Sequence, residues 1–370
     1  MVAANKKPKN EPRPAREPRP AREPRPARVL VLRSGAIGDF VVTLPVLQWL
    51  RLVDGRAVID LACHARVAPL AHGLVSQWRD IDSAVFLPLY RTAPVADSRP
   101  GDEVIRAFLG NYDLVLSFLG SDTTPAQRLR ELVGERAVCI DPIPRDRPDP
   151  VGIGPVPSHD GLHVTASFFE QMRSSGLPAP DAEESSHILP VIQPGEQEQR
   201  SAAALLDEIG LRPEQALQKR PLQKRPLLAL HPGSGSARKE SPTNVLAEVC
   251  AWLLESFEDA ALVLIKGEAD DKPVALLEAA LDAPPPIIET PDLGVLAAVL
   301  ARCALFVGHD SGVSHIAAAV GTPTVAVFVS TDPHVWAPRG LRVALAAPTA
   351  ASIQAAAASF AEHGRSEGTA

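Results

Sequence analysis

Short apolar runs separated by helical stretches recur in two series along this chain, and that alternation limits its fold more than any other feature. In the first series the runs are "VLVLR" from Val29, "AVIDLACH" from Ala57, "AVFLP" from Ala84, "DLVLSF" from Asp113 and "AVCI" from Ala137. They are apolar at nearly every position, as expected of strands covered on both faces in a parallel sheet. Helical stretches lie between them: "GDFVVTLPVLQWLRLV", a segment around Ala68–Val75, another near Val104–Leu109, and "PAQRLRELVG". Strands alternating with helices in this way read as repeated βαβ units. A Pro-, Gly- and Asp-rich loop over Arg145–Pro157 follows, and helical periodicity resumes over Gly161–Ser175.

The second series starts at Leu227 with "LLALHPGSG". It continues through "TNVLAEVCAWLLESF", "ALVLIKGE", "KPVALLEAALD", "LGVLAAVLARC", "ALFVGHDSG", "VSHIAAAVG" and "TVAVFVS". Between the two series, residues 190–226 turn to Gln, Glu, Lys and Pro and contain "LQKRP" twice in tandem, which marks a linker with one helix over Gln197–Ile209. The expected architecture is therefore α/β: two doubly wound parallel-sheet domains, 29–189 and 227–349, facing a central cleft. A tail at 1–28 precedes them, and a C-terminal helix and tail at 350–370 closes the chain. Ligands in such folds bind beyond the carboxyl ends of the strands, so the cleft is the expected active site.

Charge is unevenly spread. The net charge is −7, yet residues 1–28 hold nine Lys and Arg against three Glu, leaving the body at −13. An acidic body argues against specific nucleic-acid binding, which needs a basic surface stripe. The tail repeats "EPRPAR" three times; proline at that density favours an extended, solvated chain. Its charge suits a solubilising tail, contact with RNA, or peripheral contact with an anionic surface such as the cytoplasmic face of an inner membrane. Cys63, Cys139, Cys250 and Cys303 are far apart and show no CxxC pairing, as expected of free thiols in a reducing compartment. The basic start leads only into "VLVLR", and no run approaches the ~20 apolar residues of a membrane-spanning helix. A cytoplasmic location is the expectation.

Three stretches carry chemistry. "RSGAIGDFVVTLP", from Arg33, passes directly from the first strand into a helix. Gly35 and Gly38 let the backbone turn and approach a ligand, with Ser34 in the same loop. Asp39 in the first helical turn is placed either as a general base for an acceptor hydroxyl or as a helix cap. "LHPGSGSARKESP", from Leu230, presents Ser234, Gly235 and Ser236, with Lys239 as a nearby cation. This suits a phosphate, although Gly-Ser loops beside a lysine are common, and no Walker A pattern is present. In "LFVGHDSGVSHIAAAVG" the group Asp310, Ser311, Gly312 and Val313 opens a helix whose unpaired amides favour an anion, unless they are simply capped. His315 in that helix is either a ligand contact or a buried structural histidine.

Two other patterns carry less. "DID" at Asp80–Asp82 resembles a metal-binding DxD, but before an expected strand it reads better as a turn. His309, Asp310 and Ser311 hold the residue types of a hydrolase triad, but neighbours on one turn cannot converge their side chains, and no GxSxG elbow is present.

Together, in order and spacing, "VLVLRSGAIGDFVVTLPVLQWLR", "LALHPGSGSARKESPTNVLAEV" and "LFVGHDSGVSHIAAAVGTPTVAVF" resemble family 9 of the glycosyltransferases, the lipopolysaccharide heptosyltransferases. The resemblance runs from about Val29 to Pro338. It implies a GT-B fold and an inverting, metal-independent transfer of heptose from an ADP-sugar donor to a lipopolysaccharide core or related glycan acceptor, with no cofactor. It makes Asp39 the general base, places Lys239 near the donor diphosphate, assigns Asp310, Ser311, Gly312 and Val313 to the donor loop, and puts Glu268 of "KGEADD" beside the nucleoside. The chain departs from the family at "KESP", where Glu240 and Ser241 stand in place of an aromatic residue before proline. Acceptor-binding cations are also sparse in the first domain, with Arg66 and Arg91 the candidates. The competing reading is a non-catalytic relative that binds a nucleotide sugar without transferring it. A nucleotide-sugar epimerase lacks support, because neither a dinucleotide fingerprint nor a YxxxK pair is present.

Overall fold

The computed structural model describes residues 27–92, 100–143, 162–211, 226–257, 259–289 and 292–366. The loop over Arg145–Pro157 lies outside them, as do the "EPRPAR" repeats and the "LQKRP" tandem except for Ala27, Arg28 and Pro226.

The first sheet is built from β1 (Arg28–Leu32), β2 (Val58–Cys63), β3 (Gln77–Asp80), β4 (Leu114–Ser117) and β5 (Ala137–Cys139). All pair in parallel, in the order β3-β2-β1-β4-β5. Helices α1 (Ile37–Val41), α2 (Leu44–Val53), α3 (Pro100–Leu109) and α4 (Thr124–Val133) connect them, and α5 (Val164–Ser174) and α6 (Ala182–His187) follow. After α7 (Glu196–Glu208) the second domain alternates β6 (Leu227–His231), α8 (Thr243–Ser256), β7 (Ala261–Lys266), α9 (Asp271–Ala279), β8 (Ile287–Glu289) and α10 (Leu293–Leu300). It continues with β9 (Leu305–His309), α11 (Gly312–Ala319), β10 (Thr324–Val327), α12 (Pro333–Trp336), β11 (Val343–Ala346) and α13 (Ala350–Ser366). This sheet is also wholly parallel, in the order β11-β10-β9-β6-β7-β8. Both orders reverse direction once, between β1 and β4 and between β6 and β9, and ligand crevices form at such switch points.

Side-chain alternation divides the core. Val29 and Val31 of β1 point into one apolar cluster and Leu30 and Leu32 into another. In β6, Leu227 and Ala229 share the cluster of Val29 and Val31, whereas Leu228 and Leu230 pack under α8 and α13. The inner faces of the two sheets thus join one continuous core through α1, α10 and α11, which ties the domains together beneath the cleft.

Three expectations change. "AVFLP" is not a strand: β3 precedes it at Gln77–Asp80, and Ala84–Pro88 leads into a 3-10 turn over Leu87–Tyr90 that buries Phe86 and Leu89. β1 begins at Arg28, where the tail was expected to end. The expected linker helix exists as α7, but it docks on the second domain, with Arg302 Nη2 donating to Gln199 O at 2.8 Å, so the segment is more than a connector. Short β8, α12 and β11 had no counterpart among the expected elements.

Candidate functional site

Beyond β1 the chain turns at Gly35, whose φ of +115° is open to glycine. A Cβ there would also lie 2.8 Å from Asp39 Oδ2. That carboxylate oxygen accepts the Ala36 N–H at 3.0 Å, so Asp39 does cap α1, yet its side chain stays about a third exposed. Arg33 supports it from below. This buried guanidinium donates to Asp39 O through Nε (3.0 Å) and Nη2 (2.7 Å), and to Phe118 O through Nη1 (3.4 Å). Its Nη2 lies 3.7 Å from Asp39 Oδ1, and burial lowers its pKa to about 10. Arg33, Ser34, Gly35 and Asp39 line a cavity of about 390 Å³, whose other walls include Tyr90, Phe118, Thr123 and Ile143. Ser34 Oγ is 3.0 Å from His64 Nε2, and His64 Nδ1 is 3.0 Å from Asp82 Oδ2.

Facing this segment is the start of α11. Ser311 occupies the N-cap with extended backbone, but its side chain makes no capping hydrogen bond. Ser311 therefore does not cap α11 through its side chain, and the first-turn amides have no partner within the helix. Asp310 is buried and accepts from Lys239 Nζ and Thr331 Oγ1, each at 2.7 Å. Its charge is thereby compensated beside a helix start that favours anions. Ser311, Gly312 and Val313 line a second cavity of about 260 Å³ together with Ser234, Gly235, His231 and Asp270. Ala36 and Ile37 line it from the other domain, so the Ser34–Asp39 segment borders both cavities. The domains touch closely there: a Cβ on Gly312 would meet Ile37 Cβ at 2.5 Å.

Several residues that organise the site escaped sequence reasoning. His231, the last residue of β6, places Nε2 2.7 Å from Asp270 Oδ2 and Nδ1 3.3 Å from Ser311 Oγ. Asp270 also accepts the Gly267 N–H at 2.7 Å, and hydrogen bonds from His231 and Gly267 hold its carboxyl below the usual range despite burial. His309 accepts the Ser241 N–H on Nε2 at 2.8 Å, which leaves the proton on Nδ1 facing Gly233 O at 3.3 Å. Burial lowers its pKa to about 4. His309 thus pins the Gly233–Ser241 loop, and "KESP" contributes Ser241 to that structural contact. The available signal was the position of the histidines: His231 and His309 end the apolar runs of β6 and β9, and His64 follows β2.

The remaining candidates divide. Lys239 pairs with Asp310 and does not line the second cavity, and neither does Ser236, which accepts from Arg238 N at 3.4 Å. His315 is buried at the domain contact, its Cδ2 3.3 Å from where a Cβ on Gly38 would sit, with Nδ1 unpartnered. Burial lowers its pKa to about 4 against the opposing pull of Asp310 and Asp39. Arg66 lines the second cavity rather than the first and reaches Glu268 across the cleft at 3.6 Å, both side chains being exposed. Arg91 lies against Gly101 and lines neither cavity. The "DID" pair forms a turn, Asp82 N–H donating to Asp80 Oδ1 at 3.0 Å, but it starts on the last residue of β3 rather than preceding a strand. Ligand atoms of His64, Asp80 and Asp82 lie within 4.8 Å of one another.

Two wholly parallel α/β domains meeting at this cleft define the GT-B class of glycosyltransferase folds. Residues 176–355 match the model of glycosyltransferase family 9 (heptosyltransferase), so the chain carries a domain of that family. The fold is similar to a glycosyl transferase family 9 structure from Veillonella parvula (17% identity, 87% of this chain and 86% of that one, TM-score 0.66). It is also similar to E. coli ADP-heptose lps heptosyltransferase II (16% identity, 91% and 99%, TM-score 0.65). E. coli heptosyltransferase WaaC with ADP matches at 19% identity over the same shares, with a TM-score of 0.57. No curated protein sequence matches the chain. Among the described residues, no helix is long and apolar enough to cross a membrane.

Proposed function

We propose that the chain is an inverting, metal-independent glycosyltransferase that moves a heptose from an ADP-sugar to a lipopolysaccharide core or related glycan acceptor in the cytoplasm. The observation that carries this reading is the start of α11, where an N-cap serine leaves its own helix uncapped beside a cavity lined by Ser234 and Gly235. Helix-start amides without an intrahelical partner, beside that cavity, suit the diphosphate of the donor, and they are already oriented when charge builds on the departing ADP. Lys239 and Asp310 form the polar floor behind that helix start. The nucleoside extends toward Gly267 and Glu268, following the cavity lining.

Asp39 stands at the other cavity, on the segment bordering both. Its exposed carboxylate takes the proton from an acceptor hydroxyl as that oxygen attacks the anomeric carbon from the face opposite the diphosphate, which inverts the configuration. Holding both substrates across one thin segment removes much of the entropic barrier. The basic tail supplies a peripheral contact with the anionic membrane surface. The heptosyltransferase matches support an ADP-heptose donor.

The test is ADP release from ADP-heptose with and without glycan acceptors, in wild type and Asp39→Asn. Acceptor-dependent release that collapses in the variant while ADP affinity stays unchanged supports the enzyme. Donor binding without turnover, unaltered by the substitution, supports the non-catalytic relative instead.

A further inference from the structure

Ser311 turns its hydroxyl away from its own helix and toward His231, and the reason lies one residue further along the chain of contacts. Asp270 is buried and ionised, held by the Gly267 N–H, so His231 Nε2 must carry the hydrogen that it shares with Asp270 Oδ2. In the neutral imidazole Nδ1 is then an acceptor, and Ser311 Oγ–H donates to it at 3.3 Å. Ser311 would present only lone pairs to an arriving diphosphate, which is repulsive. Protonated His231 reverses this. Nδ1–H donates to Ser311 Oγ, and the serine hydrogen swings out toward a phosphoryl oxygen.

We propose that His231 and Asp270 form a proton-coupled positioning pair: a diphosphate at the start of α11 draws one solvent proton onto His231 Nδ1, which turns Ser311 into a hydrogen-bond donor. No bond other than N–H forms, Ser311 keeps its own hydrogen, and the proton returns to solvent when ADP leaves. Asp270 stabilises the resulting imidazolium at 2.7 Å in a site where both residues are at most 4% exposed. The inference rests on the diphosphate reading given above.

The charges facing His231 from its neighbours are accounted for. His309 on the adjacent strand is neutral, with its pKa near 4. The Asp310 carboxylate on the β9–α11 turn is matched by Lys239. Lys266 at the end of β7 is matched by Asp271 and Glu289. Glu268 and Arg66 pair at the exposed rim. Asp270 is thus the negative charge beside the neutral imidazole before a ligand arrives, and the diphosphate adds the second.

Calorimetric titration with ADP at pH 8, where its phosphates are fully ionised, measures the proton directly when run in buffers of different ionisation enthalpy. Wild type is expected to take up a substantial fraction of one proton, with affinity falling by up to about tenfold per pH unit above neutrality. His231→Gln and Asp270→Asn are expected to bind ADP more weakly, with neither proton uptake nor that pH dependence. Binding of ADP to wild type without uptake, or uptake that persists in folded His231→Gln, overturns the inference while leaving the diphosphate reading intact. Failure of wild type to bind ADP at all overturns both.

Discussion

Lys239 Nζ lies 2.7 Å from Asp310 Oδ2, joining the loop after β6 to the turn after β9. The contact explains how an aspartate can sit next to a helix start that is suited to an anion. Lys239→Ala leaves Asp310 buried with one hydroxyl partner, Thr331, and an uncompensated charge. ADP affinity should fall by about 1.5–3 kcal/mol. Adding Asp310→Asn to Lys239→Ala should recover part of that loss. Binding by Lys239→Ala equal to wild type would show that the pair has no bearing on the site.

Gly312 tolerates no side chain while α1 stays in place, since its Cβ would overlap Ile37. Gly312→Ala should lower stability by about 1–3 kcal/mol, the range for overpacking. Ile37→Ala should relieve much of this in a double-mutant cycle read by urea denaturation. Additive effects would mean that the two helices do not meet as described.

Acid should weaken the fold before its carboxylates titrate. Burial lowers the pKa of His309 and His315 to about 4 and that of His163, which donates to Ala337 O at 2.9 Å, to about 3. Between about pH 6.5 and those values the unfolded chain binds more protons than the folded one, so stability falls as pH drops through that window. Urea midpoints measured from pH 7.5 to 4.5 should decline steadily, and the decline should be shallower in His163→Asn. A flat profile would contradict buried neutral histidines.

Chelation tests the charge stabilisation assigned to the helix amides. ADP-sugar turnover should be unchanged by EDTA and by Asp82→Asn, whose carboxylate belongs to the one group among the described residues with metal-ligand spacing. Activity lost on chelation and restored by a divalent cation would place a metal in the reaction.

Most of the central strands and helices were legible because their burial on both faces leaves apolar runs in the sequence. Apart from the one-turn helix α12, the misses named above are edge strands. β3, β8 and β11 lie at the margins of their sheets, and their residues are short-run, partly exposed or polar, as in Gln77–Asp80. "AVFLP" misled for the opposite reason, since Phe86 and Leu89 are buried beneath a turn. At the site, the glycine loops and Asp39 announced themselves through local pattern. The Asp270–His231–Ser311 contacts did not, because they link residues 39 and 80 positions apart that only the parallel sheet brings together. Arg33 was passed over because an arginine after a strand gives no sign of being buried. The pairing of Arg66 with Glu268 was hidden too, because its partner belongs to the other domain.

A crystal structure of the chain with ADP bound locates the diphosphate directly. Its phosphoryl oxygens should lie within hydrogen-bonding distance of the Gly312 and Val313 amides and Ser311 Oγ, with the adenosine toward Gly267 and Asp39 across the Ala36–Ile37 segment. ADP seated elsewhere, with no phosphoryl oxygen near the first turn of α11, would contradict the account.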